Sequence, residues 1–499
     1  MKDEILNAVN PASQQIFEHV ESTPQSELPK MVEKAAKAQK KWAALSYQER
    51  GVYLKKMKDL VIERGEEIAE TVSKGMGKPL VESYLFGVNL VAEDLEEYSE
   101  KAETYLADEN VTTPEYLGDN KKALVRYTPR GVIAVIAPWN FPFGLAMSPV
   151  ITALAAGNSV ILKPTSAVPM IGKVIENLFN DTFSDFDGLA QVVHGKGSLG
   201  SDLATTKGID FVVFTGSTKI GRQLQKQLAE NLTPSLLELG GSDPLIVTDD
   251  ANLTRAAKAT VFGRFSNNGQ ICEAVKRVYV NEKVADTFIA NVKKEVEAIT
   301  SGEYITLSND IGPLANARGV ATLKEQLQDA LDKGAKLIAG GFPENSKTLF
   351  WPATVLINVN HKMRVMQEEV FGPILPIQIV KNDDEAIALA NDSEYGLDAY
   401  VFSSNMERAN KIANQLQAGS VDINEVLVHY AVSGIPFGGV KNSGINRYHG
   451  KIGLKLFTNY KGMVIDSGKN DTEALWFPYS EEKLQGAKQL LEQLKNIIK

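Results

Sequence analysis

Apolar residues in 30–44 and 47–74 recur at three- and four-residue intervals, the spacing that gathers them on one face of a helix. Ala35, Ala38, Trp42 and Leu45 form one such stripe, and Gly75, Gly77 and Pro79 end the region. Residues 85–106 predict a further helix. From Gly131 the pattern changes: short β-branched runs at 132–137, 159–163, 190–193 and 210–215 alternate with helical stretches. Runs apolar on both faces, separated by helices, are what buried parallel strands with crossover helices require. A second set follows Gly240-Gly241, with candidate strands at 245–247, 278–280, 336–337 and 375–379. The predicted fold class is α/β, doubly wound.

Two stretches test this reading. The longest apolar run, 145–162, contains Pro149 and Gly157-Asn158, so it predicts helix, turn and strand rather than a membrane span. In the tail, 481–499, Leu484, Ala487, Leu491, Leu494 and Ile498 share one helical face, which predicts packing on the body or on a partner subunit.

At 499 residues the chain is long enough for two or three domains. A net charge of −9 without a basic run argues against a nucleic-acid partner. A single cysteine forbids an intramolecular disulfide and fits a reducing compartment. With His19, His194, His361, His429 and His449 scattered, no zinc-ligand spacing is readable, and no metal is expected. The first residues, MKDEILNAVNPAS, lack the form of a signal peptide, and a cytoplasmic location is expected.

A lone cysteine is ordinarily a small inert hydrophobe. Cys272, however, follows Phe265-Ser-Asn-Asn-Gly-Gln-Ile, a helix end with a glycine turn, where free backbone N–H groups can support a thiolate or an oxyanion. Asn140 lies in Pro-Trp-Asn-Phe-Pro, just after the run 132–137, and ligands of α/β sheets bind outside the carboxyl ends of strands. Its amide can donate to a carbonyl turning tetrahedral; on this segment alone a proline-bounded turn with an Asx hydrogen bond is the favoured account. Glu238 stands in the apolar Leu-Leu-Glu-Leu-Gly-Gly. Burial raises a carboxyl pKa and suits a general base, or the residue belongs to a buried ion pair. Gly195-Lys-Gly-Ser-Leu-Gly200 matches G-x-G-x-x-G but has no acidic residue ending the next strand, so it is set aside as a dinucleotide fingerprint. Phe214-Thr-Gly-Ser-Thr-Lys-Ile-Gly221 is the better phosphate site, with Gly216 and Ser217 at a helix start.

Taken in order, residues 138–142, Lys163-Pro-Thr-Ser166, 214–221, 236–241, 265–272, Glu368-Glu-Val-Phe-Gly-Pro373 and 436–444 resemble the motifs of the aldehyde dehydrogenase superfamily over nearly the whole chain. The resemblance implies a Rossmann-type cofactor domain (1–117 and 131–239), an α/β catalytic domain (240–440), a small β oligomerisation element (118–130 and 452–467) and a tail (468–499). It implies oxidation of an aldehyde to an acid with NAD or NADP, and a homodimer or homotetramer. Cys272 matches the nucleophile, Glu238 the general base, and Asn140 with the Cys272 N–H the oxyanion hole. Lys163 and Ser166 fall at the adenosine ribose, and Gly216, Ser217 and Gly221 at the phosphate segment. Glu369 and Phe371 fall beside the nicotinamide, with Trp139 in the loop between cofactor and substrate.

Departures from the family pattern matter. Ser166 replaces a common glutamate that repels a 2′-phosphate, and Lys163 is near, so NADP is favoured slightly over NAD. Asn446-Arg447 replaces Gly-Arg, a change assigned to a turn. Glu273, after the nucleophile, has no explanation in the sequence. Glu238 favours water over coenzyme A as acyl acceptor. Phe141, Phe143, Met147, Phe265, Ile271 and Val432 are candidates to line an apolar tunnel for an aliphatic or aromatic aldehyde, while Arg264 is the candidate anchor for a semialdehyde carboxylate. The balance tips slightly to a semialdehyde.

Overall fold

The β-branched runs assemble into two sheets in the computed structural model, which describes residues 5–117, 120–345, 347–473 and 475–497. The first has six strands, in the order Gly444–Ile445, Ser235–Glu238, Phe211–Thr215, Val132–Ile136, Ser159–Lys163, Ala190–Val192. All but Gly444–Ile445 run parallel. Strands Val132–Ile136 and Ser159–Lys163 are buried at every position, which is why they read as apolar runs. The second sheet has seven strands and is built on the parallel neighbours Asp243–Val247, Val275–Asn281 and Ile374–Val380; its edge strand Lys336–Ala339 is antiparallel.

The run 145–162 folds as expected. Helix Gly144–Ala155 is buried on all sides, so its apolar character serves the core. Gly157 turns the chain at φ +89, and Asn158 closes the turn. The Asn158 amide donates to the carbonyls of Ala153 (3.0 Å) and Phe457 (2.9 Å) and accepts from the Gly131 N–H (3.0 Å). A buried amide with three partners holds the strand start in place. Among the described residues no helix is long and apolar enough to cross a membrane.

The predicted helix 47–74 is two helices, Tyr47–Glu63 and Gly65–Met76, broken where Arg64 leaves helical geometry. Residues 85–106 begin with a widened turn, Tyr84–Asn89, before Leu90–Tyr105. A third sheet pairs Thr458–Asp466, Lys121–Pro129 and Glu109–Val111, all antiparallel. Glu109–Val111 thus leaves the cofactor region in which the sequence placed it; residues 118 and 119 of the expected small element lie outside the described residues. Helix Glu481–Ile497 forms, but Leu484 and Leu491 are 48% and 68% exposed, so its apolar face does not pack on the body. Ile498 lies outside the described residues.

Candidate active site

The first sheet delivers three groups at its carboxyl edge. Asn140 follows Val132–Ile136, Lys163 ends Ser159–Lys163 and Glu238 ends Ser235–Glu238. Cys272 comes from the second sheet's side, between helix Leu253–Phe265 and strand Val275–Asn281. Asn267 and Asn268 adopt φ +49 and +52 in the intervening turn, a conformation asparagine tolerates better than most residues.

Hydrogen bonds hold the two sides together. Asn140 Nδ2 donates to the Gln270 carbonyl at 3.1 Å, and Asn267 Nδ2 donates to the same carbonyl and to that of Asn140, each at 3.1 Å. Lys78 Nζ donates to the Asn140 carbonyl at 2.8 Å, and Glu82 Oε1 accepts the Asn267 N–H at 2.8 Å. Lys78 and Glu82 are buried, and nothing in the sequence marked them; Lys78 sits in a Gly-Lys-Pro that reads only as a helix stop. On the other flank the Cys272 carbonyl accepts from Lys276 Nζ, and a Cβ on Gly241 would stand 2.6 Å from that oxygen. The loop after Glu238 therefore lies directly against the Cys272 backbone.

Burial sets the charge states. It pushes the Cys272 thiol well above its ordinary value, with Glu273 adding to the effect and Lys276 opposing it. Desolvation here opposes the thiolate that the loop's N–H groups are expected to support. Burial also pushes Glu238 well up, against the pull of Arg447. Neither Glu238 carboxyl oxygen has a hydrogen-bond partner among the described residues, and both are buried. Arg447 is a charged neighbour of Glu238 as well as part of a turn.

Among the expected cofactor groups, Ser217 caps helix Thr218–Glu230 with no side-chain bond, leaving first-turn N–H groups for an anion. Lys163 has no acidic partner among the described residues, and burial alone lowers its pKa to about 8. Glu369 Oε1 accepts the Gly241 N–H at 3.1 Å, and the Trp139 and Phe371 rings meet edge-on at 5.5 Å. Ser166 lies half-buried beyond Lys163. Gly221 differs from expectation: its N–H already donates to the Ser217 carbonyl, and a Cβ there would strike Leu239 at 2.5 Å. It lets the helix approach the sheet. Gly200, in the segment set aside, plays a similar part against Ile136 and Lys163.

A narrow apolar cavity opens beside Cys272. Phe86, Leu90, Phe141, Leu145, Ile271 and Leu427 give it apolar walls, and Glu273 and Tyr430 share them. Phe141 and Ile271 were expected there. Phe143, Met147 and Phe265 belong to the core instead, and Val432 is 48% exposed outside the cavity lining. Arg264 is fully buried and donates to the carbonyls of Val275, Gly269 and Val370, so it anchors backbone and cannot reach a substrate.

The model of the Aldehyde dehydrogenase family matches residues 1–463. The chain belongs to the aldehyde dehydrogenase family. It is 36% identical over 487 residues to a 4,4'-diapolycopene aldehyde oxidase of Methylomonas sp, covering 98% of this chain and 91% of the relative. It is 35% identical over 456 residues to a glutarate-semialdehyde dehydrogenase of Pseudomonas aeruginosa, covering 91% and 93%. The crystal structure of an E. coli NADP-dependent enzyme superimposes with a TM-score of 0.89 at 32% identity, covering 93% of this chain and 95% of that one. This aldehyde dehydrogenase is therefore an enzyme with the family fold, as its motifs led one to expect.

Proposed function

We propose that this aldehyde dehydrogenase oxidises a neutral, apolar aldehyde to its acid through covalent catalysis by Cys272, with NADP or NAD. The observation that carries the reading is Cys272 in the wall of an apolar cavity, with the Asn140 amide bonded to the Gln270 carbonyl two residues before it and the loop after the unpartnered Glu238 lying against the Cys272 carbonyl. The free helix start at Ser217, the unpaired Lys163 ammonium and the Trp139–Phe371 pair fit a dinucleotide. Lys163 beside Ser166 offers a cation and no repelling carboxylate, which favours a 2′-phosphate and hence NADP.

The chain's own groups then act in order. Cys272 Sγ loses its proton and bonds to the aldehyde carbon, and the charge moving onto oxygen faces the Asn140 amide and the Cys272 N–H. A bound nicotinamide dinucleotide supplies the hydride acceptor that leaves the acyl group as a thioester on Cys272. Glu238, once ionised, takes a proton from water as that water attacks the acyl carbon and the carbon–sulfur bond breaks. The glutamate favours water over coenzyme A as acceptor. Exposed Tyr460 and Val464, on the three-stranded sheet, support a subunit contact there.

A semialdehyde is the second reading, favoured by the glutarate-semialdehyde dehydrogenase relative. Reduced-cofactor absorbance with NAD and NADP against hexanal, benzaldehyde and succinic semialdehyde tests both readings, with Cys272→Ala beside the wild type. Turnover of hexanal above the semialdehyde, lost in the variant, is the expected result. Turnover only after coenzyme A is added overturns the hydrolytic mechanism.

A further inference from the structure

Glu273 is a carboxyl in the wall of the apolar cavity, next in sequence to the nucleophile, and 8% exposed. No donor reaches its side chain among the described residues; its backbone carbonyl is held by the Tyr400 hydroxyl. No lysine or arginine lines the cavity. The groups that act on Glu273 come from several elements. Asp243 lies on Asp243–Val247, Asp422 on Asp422–Ile423, and Asp398 and Tyr400 at strand Tyr400–Phe402. Tyr430, Glu238 and Cys272 complete the acidic surroundings. Lys276 is the cation acting on it, and that ammonium is bound to the Cys272 carbonyl. An anion entering this cavity loses water, gains no cation and meets a carboxyl.

On the reading of the site given above, we propose that Glu273 is a specificity-determining residue, a charge filter that admits neutral aldehydes to Cys272 and turns away those carrying a carboxylate. Burial and the neighbouring aspartates push its carboxyl up to about 8, so the filter strengthens as pH rises through that value. Below it the protonated acid leaves exclusion to desolvation alone; above it a carboxylate repels directly.

The only cysteine in the chain is Cys272, so alkylation by a neutral and an anionic reagent reads the filter without turnover. The rates of iodoacetamide and iodoacetate on the full-length protein are compared by mass spectrometry at pH 7 and pH 9, with glutathione as the free-thiol reference. Thiol ionisation cancels in the ratio. At pH 9 the wild type favours iodoacetamide by about tenfold or more beyond glutathione, and the preference grows from pH 7. Glu273→Gln, with Glu273→Ala as a second variant, removes that growth. In turnover, the preference for methyl 4-oxobutanoate over succinic semialdehyde shrinks in the same variants through the KM of the semialdehyde. A wild-type ratio equal to that of glutathione, or one with the same pH dependence in the variants, overturns the filter even where the protein oxidises aldehydes. A normal filter in a protein that turns over no aldehyde leaves the filter standing and removes the proposed function instead.

Discussion

Replacing Asn140 by alanine separates chemistry from folding because the structure fixes both costs. The Asn140 amide is 5% exposed, and its Nδ2 makes one protein hydrogen bond, to the Gln270 carbonyl. That carbonyl keeps Asn267 Nδ2 as a second donor, so truncation strands no buried acceptor. The folding cost is therefore that of one ordinary hydrogen bond, about 0.5–1.5 kcal/mol. The Asn140 backbone carbonyl still receives Lys78 and Asn267, so the loop stays in place. The catalytic cost is that of an oxyanion donor, about 10²–10³-fold in kcat, or roughly 2.7–4 kcal/mol. Steady-state kinetics at saturating cofactor measure the second, and a thermal melt the first. Iodoacetamide labelling of Cys272 at the wild-type rate confirms an intact thiol loop. A kcat within threefold of wild type in a well-folded variant would show that the amide does not face the developing charge.

Two further outcomes follow from the same geometry. Glu238→Gln lowers kcat by about 10²–10⁴-fold but keeps a burst of roughly one reduced cofactor per subunit, because the base serves deacylation. Burial raises both the thiol and Glu238 above their ordinary values, and the proposed mechanism uses both deprotonated, so wild-type turnover rises with pH; a slow variant with no burst would place Glu238 before the thioester. Ser166→Glu puts a carboxylate beside Lys163 and lowers the NADP-to-NAD ratio of kcat/KM by about tenfold or more; an unchanged ratio would show that position 166 does not meet the ribose.

How much was legible in the sequence depended on the range of the signal. Strands Val132–Ile136 and Ser159–Lys163 of the first sheet are buried on both faces, so each announces itself as a local apolar run. Cys272, Asn140 and Glu238 could be singled out because each is an unusual residue at an element end. Arg264 shows the limit: the helix fixes where its Cα lies, but three backbone carbonyls decide where its guanidinium goes. Phe143, Met147 and Phe265 are apolar whether they face core or cavity, so composition cannot sort them. Lys78 and Glu82 act on loops far along the chain. Glu273 was left unexplained because the aspartates that act on it come from distant strands.

That long-range character also explains how the site is switched on by folding. The first sheet carries Asn140 and Glu238, and the second carries Cys272. Neither sheet alone carries a working set. Bonds that help to join them, Asn140 to Gln270, Asn267 to Asn140, Glu82 to Asn267 and Glu369 to Gly241, lie close to Cys272. Buried polar bonds of this kind add little net stability but penalise any misaligned docking, since each leaves a stranded group when broken. The registry of the two sheets and the placement of the Cys272 loop against Asn140 are therefore set by the same contacts, and a change that loosens one must loosen the other.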